Sequence, residues 1–368
     1  MKNVVVTLAN ENYLVQAKAL FSSIFWNSGW TGDYLLLAHQ VPQEELAWFR
    51  EKGIIVYDCE PLFTDKLGDY PSVVLDKLYL FTPYFKKWSH VIFMDADMVV
   101  RASLDELTKV KDFAATTDQD HYAVGYNIRE QPGDLYEKLR SQFDLGKPGF
   151  SSGMISFDTD IIDGDRTFAG MKSLLQEYGK LFNGDQPLFN IYFQKWAQLP
   201  RIFNICVPNG SEVYTPLIRP GQKGLYHLSG YYKPWHKENP FYEEWQSNLV
   251  RADQIDLSNR QMPSYPLDNQ EISRFQNVYD GLKDTIKVKL DLLHLYYWDK
   301  KMYRRRVLAE TFKRNPLRFK HEFLYYFVSL LPEKSKVNIK NSLRAIGLLP
   351  KDVAILGKVG RERPVDHD

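Results

Sequence analysis

Apolar residues gather along the first half of the chain in short runs separated by polar ones. Residues 4–8, 34–37, 54–57, 91–94 and 113–116 are brief, rich in β-branched and aromatic side chains, and bounded by polar or turn-forming segments. Each is therefore predicted to be a buried strand. Between them, residues 13–25, 43–51 and 73–85 carry apolar positions at helical spacing. This alternation predicts an α/β architecture, a Rossmann-like, mainly parallel sheet with helices on its faces. Further strand-like runs at 154–157, 203–207 and 224–228 have fewer helices between them, so the second half of the sheet is predicted to be mixed.

After Trp245 the pattern changes. Residues 251–270 are polar, contain Pro263 and Pro266, and are predicted to be a linker. Residues 271–283, 285–297, 301–313 and 318–331 look helical, the last with Phe319, Phe323, Phe327 and Leu330 on one face. The pattern thus predicts a domain over 1–250, a linker over 251–270 and a helical carboxyl-terminal region over 271–368.

A parallel sheet binds ligands at the carboxyl ends of its strands. Ala9-Asn10-Glu11-Asn12-Tyr13 follows the first predicted strand and Asp95-Ala96-Asp97 the fourth, so both fall on one rim. Side chains two apart on an extended segment point the same way, so Asp95 and Asp97 are expected to converge if the chain stays extended through Ala96. Two like charges that close need a cation between them, and a hard divalent ion suits carboxylate oxygen. By itself the pair fits several readings: solvated loop acids, a helix cap, the nucleophile signature of haloacid-dehalogenase-like phosphatases, or the metal site of GT-A nucleotide-sugar transferases.

Charge and composition narrow the field. The 47 basic and 46 acidic residues leave a net charge of +1, which argues against bulk attraction to nucleic acid. Cys59 and Cys206 are too few for a disulfide framework or a cysteine-rich zinc site, and they point to a reducing compartment. The first residues enter a strand directly, without the pattern of a signal peptide, and no run approaches about eighteen apolar residues. A cytoplasmic location is therefore expected.

A second informative run is His227-Leu228-Ser229-Gly230-Tyr231-Tyr232-Lys233-Pro234-Trp235. Imidazole is a borderline ligand that suits manganese, glycine lets backbone approach a phosphate, and lysine supplies a point charge for it. With this run in view, the chain resembles glycosyltransferase family 8, the group containing glycogenin and the bacterial lipooligosaccharide galactosyltransferases. The resemblance spans residues 2–235 and passes through Leu8 to Tyr13, Lys77-Leu78, Asp95-Ala96-Asp97, Ser151-Ser152-Gly153-Met154 and Gly184 to Asn190 before reaching His227. One departure stands out: the family usually has Asn where this chain has Ser151, which loosens the inference about the accepted sugar. A phosphatase would need a downstream lysine and a further acidic pair, and would leave the His227 run without a role; a catalytically degenerate transferase fold kept as a binding or assembly subunit would have no need for both the metal ligands and Asp185-Gln186.

The resemblance implies a GT-A fold and a metal-dependent enzyme that moves glucose or galactose from a UDP-sugar with retention of configuration. It implies that Asp95, Asp97 and His227 hold Mn²⁺, with Mg²⁺ as the substitute. Tyr13 would stack on uracil, Asn10 and Asn12 would bind the nucleoside, and Gly230 with Lys233 would hold the diphosphate. Leu8, Ala9, Ala96, Ser151 and Ser152 complete the implied substrate-binding set. Lys77, Asp185 and Gln186 would face the sugar as the catalytic group, either of the last two acting as nucleophile in a double displacement or as sugar-orienting groups in a front-face attack. Asp118 and Asp120 are candidates for hydroxyls of the sugar or acceptor. The acceptor itself, a glycan, glycoprotein or lipid-linked saccharide, is left open.

The carboxyl-terminal region adds Lys300, Lys301, Arg304, Arg305, Arg306, Lys313, Arg314, Arg318 and Lys320 among Tyr296, Tyr297, Trp298, Tyr303 and Phe312. Basic and aromatic residues interleaved on helices suit an anionic surface, so peripheral contact with the inner face of a membrane is weighed there against a solvated face.

Overall fold

The computed structural model describes residues 2–118, 123–129, 133–207, 212–229, 233–259 and 262–298, with backbone alone for 212–214 and 287–298. The chain divides into two units, Met1–Lys283 and Asp284–Asp368. Of the second, only residues 284–298 are described.

In chain order the strands are β1 (Asn3–Ala9), β2 (Asp33–His39), β3 (Ile55–Cys59), β4 (His90–Met94), β5 (Met98–Val100), β6 (Phe113–Thr117), β7 (Phe150–Asp158), β8 (Ala197–Gln198), β9 (Ile205–Cys206) and β10 (Leu225–His227). The α-helices are α1 (Leu14–Asn27), α2 (Ala47–Glu51), α3 (Asp134–Gln142), α4 (Arg166–Tyr178), α5 (Gln186–Tyr192), α6 (Tyr242–Ala252) and α7 (Asn269–Trp298). A seven-stranded sheet runs in the order β3-β2-β1-β4-β7-β6-β8, and a smaller one in the order β5-β10-β9.

The half of the large sheet predicted to be parallel is parallel: β3, β2, β1 and β4 pair side by side in one direction. The second half is mixed, because β7 runs antiparallel to both β4 and β6. Strands covered on both faces need no polar alternation. Accordingly Val4 to Val6, Leu35 to Leu37 and Val91 to Met94 are wholly buried. Phe81, Phe113, Phe157 and Phe193 fill the space over one face, with the Phe113 and Phe193 rings stacked at 4.1 Å.

Two elements differ in kind from the sequence pattern. Residues 73–85, predicted as an ordinary helix, form a 3₁₀ helix over Ser72–Phe81 and a second over Pro83–Lys87. Leu75, Leu78 and Phe81 lie three apart and all are buried, the spacing at which a 3₁₀ helix aligns side chains on one face. Pro83 imposes the break by forcing Thr82 into extended backbone at ψ 159°. At the other end, residues 271–297, predicted as two helices, lie in the single helix α7, whose interior contains no proline.

The described residues of the segment predicted as a linker, 251–259 and 262–270, fall within the first unit. Ser103 N donates to Tyr265 O at 2.8 Å, and Lys223 Nζ donates to Pro266 O at 3.0 Å. None of the described helices is long and apolar enough to cross a membrane.

Candidate active site

The carboxyl ends of β1 and β4 meet the amino end of antiparallel β7 on one rim. Asp95 follows β4 directly, and its N–H donates to Gly153 O of β7 at 2.8 Å. The backbone then turns instead of staying extended through Ala96, with Met98 N donating to Asp95 O at 3.2 Å. This corrects the geometry expected from side-chain alternation. The turn starts β5, and β5 pairs antiparallel with β10 so that Met98 stands opposite His227. Leu228 N donates to Asp97 O at 3.1 Å, fastening the two runs together.

Asp95, Asp97 and His227 converge, with one potential ligand atom from each lying within 4.8 Å of the others. His227 Nε2 stands 3.3 Å from Asp97 Oδ1 and 3.8 Å from Asp95 Oδ2. Asp97 Oδ1 and His227 Nδ1 are both buried and neither has an aligned hydrogen-bond partner. Two carboxylates, an imidazole and orphaned polar atoms are a donor set that fits Mn²⁺ or Mg²⁺. Room for the imidazole comes from Gly153: a Cβ there would run into His227 Cε1 and lie 2.8 Å from Nδ1 and 2.9 Å from Asp95 Oδ2.

Lysines flank the trio. Lys77, 4% exposed on the first 3₁₀ helix, stands 2.9 Å from Asp95 Oδ1 and 3.0 Å from Asp185 Oδ2, the latter an ion pair without hydrogen-bond alignment. Lys233 Nζ donates to Asp97 Oδ2 at 2.6 Å. Burial alone would raise the Asp97 carboxyl, but Lys233 and His227 outweigh it and hold the group far below the usual carboxylate range. At Asp95 burial wins, and its carboxyl is raised despite Lys77 and His227. Burial lowers the His227 imidazole, but Asp97 and Asp95 reverse that and leave it raised.

Asp185 immediately precedes α5 and Gln186 opens it. Gln186 is held at both ends of its amide: Oε1 accepts from Ser152 N at 3.2 Å and Nε2 donates to Asp118 Oδ2 at 2.6 Å. Burial raises the Asp118 carboxyl, in part offset by that hydrogen bond. Asn190, a turn further along α5, accepts from Phe150 N at 2.8 Å and donates to Phe150 O at 2.9 Å, which fixes α5 to the start of β7.

Leu8 and Ala9 end β1, and Asn10 precedes a short 3₁₀ turn that leads into α1. Asn10 Oδ1 is buried without a partner. Tyr13 is half-exposed and meets Trp235 edge-on at 5.9 Å, and Trp235 leans on Trp245 of α6. Asn12 is exposed and Ala96 buried. Ser151 Oγ accepts from Gly153 N at 3.4 Å. Gly230 and Asp120 lie outside the described residues, as do Lys300 to Lys320.

Among the residues left unassigned from sequence are Gly153, quoted only as part of a motif, and the pair His39 and Asp76. His39 Nδ1 pairs with Asp76 Oδ2 at 2.6 Å, both side chains buried, next to Lys77 on the same 3₁₀ helix. A histidine closing a strand and an aspartate beside a lysine give no sign in the sequence that they will meet.

The model of glycosyl transferase family 8 matches residues 4–239, and the chain belongs to that family. Among curated relatives, glycosyltransferase GlyB of Streptococcus pneumoniae serotype 4 is 26% identical over 48% of this chain and 45% of its own length. The lipopolysaccharide 1,2-glucosyltransferase of Escherichia coli is 26% identical over 62% of this chain and 71% of its own. The chain thus spans under half the length of the first of these relatives. Among solved structures, galactosyltransferase LgtC in complex with donor and acceptor sugar analogues superposes with a TM-score of 0.52 at 17% identity, covering 67% of this chain and 95% of that one. The fold is that of the GT-A glycosyltransferases, and family membership sets the phosphatase reading of Asp95-Ala96-Asp97 aside.

Proposed function

We propose that this protein is a metal-dependent, retaining hexosyltransferase that moves glucose or galactose from a UDP-sugar to a glycan, glycoprotein or lipid-linked acceptor. The observation that carries this reading is the convergence of Asp95, Asp97 and His227 beside Lys77, Lys233 and Asp185 at the carboxyl rim of the sheet. In this reading Asp95, Asp97 and His227 hold Mn²⁺, with Mg²⁺ as the substitute. Such an ion supplies charge stabilisation for a leaving diphosphate.

The remaining chemistry belongs to the chain. Lys233, a point charge at the mouth of the trio, assists the leaving phosphate, and Gly230 allows backbone to approach it. Tyr13, Asn10 and Asn12 take the uridine, with Leu8, Ala9 and Ala96 lining the nucleoside end. Lys77 fixes the Asp185 carboxylate by ion pairing, while Asp118 and Ser152 fix the Gln186 amide, so both side chains meet the sugar already oriented. Asp185 or Gln186 then serves as nucleophile or stabilises an oxocarbenium-like centre, and Ser151 bears on which hexose is accepted.

Residues 1–250 would be the transferase domain, 251–270 the linker and 271–368 a helical appendage whose basic and aromatic residues give peripheral contact with a cytoplasmic membrane face. The bacterial source of glycosyltransferase GlyB, and the lipopolysaccharide named for the Escherichia coli glucosyltransferase, support a role in bacterial glycan synthesis. A hydrolysis screen over UDP-sugars tests the reading. UDP release from UDP-glucose or UDP-galactose with Mn²⁺, stopped by EDTA, is expected; release from no UDP-hexose would overturn it.

A further inference from the structure

Tyr70 takes no part in the site as described. It ends the loop between β3 and the 3₁₀ helix that carries Lys77. Leu67 N donates to Tyr70 O at 3.0 Å and Tyr70 N to Leu67 O at 3.2 Å, closing a tight turn with Gly68 at φ +65°. A glycine there is required, since that backbone conformation disfavours any side chain.

This turn is clamped onto the segment that leads into Asp185. Gly184 N donates to Leu67 O at 3.1 Å, and Asp69 N donates to Asn183 Oδ1 at 2.9 Å. Gly184 is itself at φ +84°, and a Cβ on it would lie 3.1–3.4 Å from Tyr70 ring atoms. The ring therefore lies on bare backbone one residue before Asp185. Tyr70 as a residue is nonetheless 48% exposed, whereas Asp185 is 6% and Lys77 4% exposed.

The two ends of Tyr70 see different surroundings. Burial and Asp185 raise the phenol's pKa, Lys233 and Lys77 act against that, and Asp118 adds to it. Its hydroxyl thus stands in the field of charges from four separate segments of the site, while much of the residue faces solvent. A pyranose has the matching duality: a face of C–H bonds that lies on an aromatic ring, and hydroxyls that need polar partners.

We propose that Tyr70 is a specificity-determining residue for the acceptor, its exposed ring carrying the face of a pyranose and its hydroxyl bonding one of that sugar's hydroxyls. The acceptor is favoured over the transferred sugar because Asp97, His227, Lys77 and Asp185 are buried and Asp95 is half-buried, whereas Tyr70 is among the exposed residues. This assignment rests on the transferase reading above.

Saturation-transfer NMR on the full chain tests it, with and without UDP and Mn²⁺. The probes are the methyl α- and β-glycosides of glucose and galactose, applied to the native protein, Tyr70→Phe and Tyr70→Ala, with the UDP-induced melting shift recorded for each. Saturation of glycoside ring protons in the native protein is expected. Tyr70→Phe should weaken it a few-fold and Tyr70→Ala by about tenfold or more. Native protein that saturates none of the glycosides, or variants that bind them like the native chain, would overturn the assignment. So would loss of the UDP shift in Tyr70→Ala, which places the ring in the nucleotide pocket or the fold. Tyr70-dependent glycoside binding in a native protein without any UDP shift would uphold Tyr70 as a sugar platform and remove the UDP-sugar reading instead.

Discussion

Gly153 and His227 share one space: the imidazole of His227 occupies the volume in which any side chain on Gly153 would have to stand. A β-carbon at 153 must displace the ring, and His227 is bound into β10 between β5 and β9, so its backbone has little room to yield. Gly153→Ala is therefore expected to lower Mn²⁺ affinity by about tenfold or more while far-ultraviolet dichroism stays native. Titration with Mn²⁺, followed by electron paramagnetic resonance, measures it. An alanine variant that binds the ion as tightly as the native chain would show that the ring does not need that space.

Metal binding should depend on pH through the same histidine. Asp97 and Asp95 raise the His227 imidazole against the effect of burial, and a ligand imidazole must be neutral. Below that raised pKa a proton has to leave as the ion enters, so affinity should fall with pH by about tenfold per unit. Asp95, raised by burial, works in the same direction, whereas Asp97 is held so low that it does not compete. Mn²⁺ affinity that stays flat from neutral to mildly acid pH would remove His227 from the ligand set.

A different histidine should govern acid stability. His90 opens β4 fully packed, its Nε2 2.7 Å from Ser156 Oγ, and burial pushes its pKa down to about 4. The unfolded chain, at about 6.5, takes up that proton first. Stability is therefore complete above about pH 6.5 and declines toward pH 4, by up to about 3 kcal/mol, as the unfolded state gains the proton. Urea unfolding of His90→Gln across this range should show a flatter acid limb than the native protein. Equal slopes would mean that His90 is protonated in the fold.

Lys77 answers two carboxylates, so its removal takes the paired cation from Asp185 and leaves Asp95 with His227 alone. Lys77→Met should cost about 3 kcal/mol in denaturant unfolding, and adding Asp185→Asn should restore part of the loss. Independent, additive costs would mean that the ion pair between them contributes nothing. Asp185→Ala alone should lower turnover strongly while UDP affinity stays within a few-fold. Parallel loss of UDP affinity would place Asp185 in the nucleotide pocket.

The buried strands of the parallel half were legible because a strand covered on both faces leaves a continuous apolar run, as at Val91 to Met94. The mixed second half followed from the scarcity of helices there. Less legible were features that depend on neighbours far along the chain. Asp95 and Asp97 meet through a turn, because Met98 to Val100 leave as a separate strand to pair with β10. Nothing local distinguishes that from an extended continuation. β8, two exposed residues long, is too short to carry an apolar pattern. Tyr70 is marked out only by the clamp that sets it against Gly184, and that clamp is one backbone hydrogen bond and one to the Asn183 side chain, each joining residues more than a hundred positions apart.

In the proposed reading, the trio of Asp95, Asp97 and His227 holds a metal on which donor chemistry depends. The most direct test is UDP release from the accepted UDP-hexose, measured with Mn²⁺ or excess EDTA for the native protein and for Asp97→Asn, which keeps the side chain's shape but removes its charge. Release is expected from the native protein with Mn²⁺ alone, and should drop to near background in Asp97→Asn and in EDTA. Undiminished release in EDTA, or by Asp97→Asn, would contradict it.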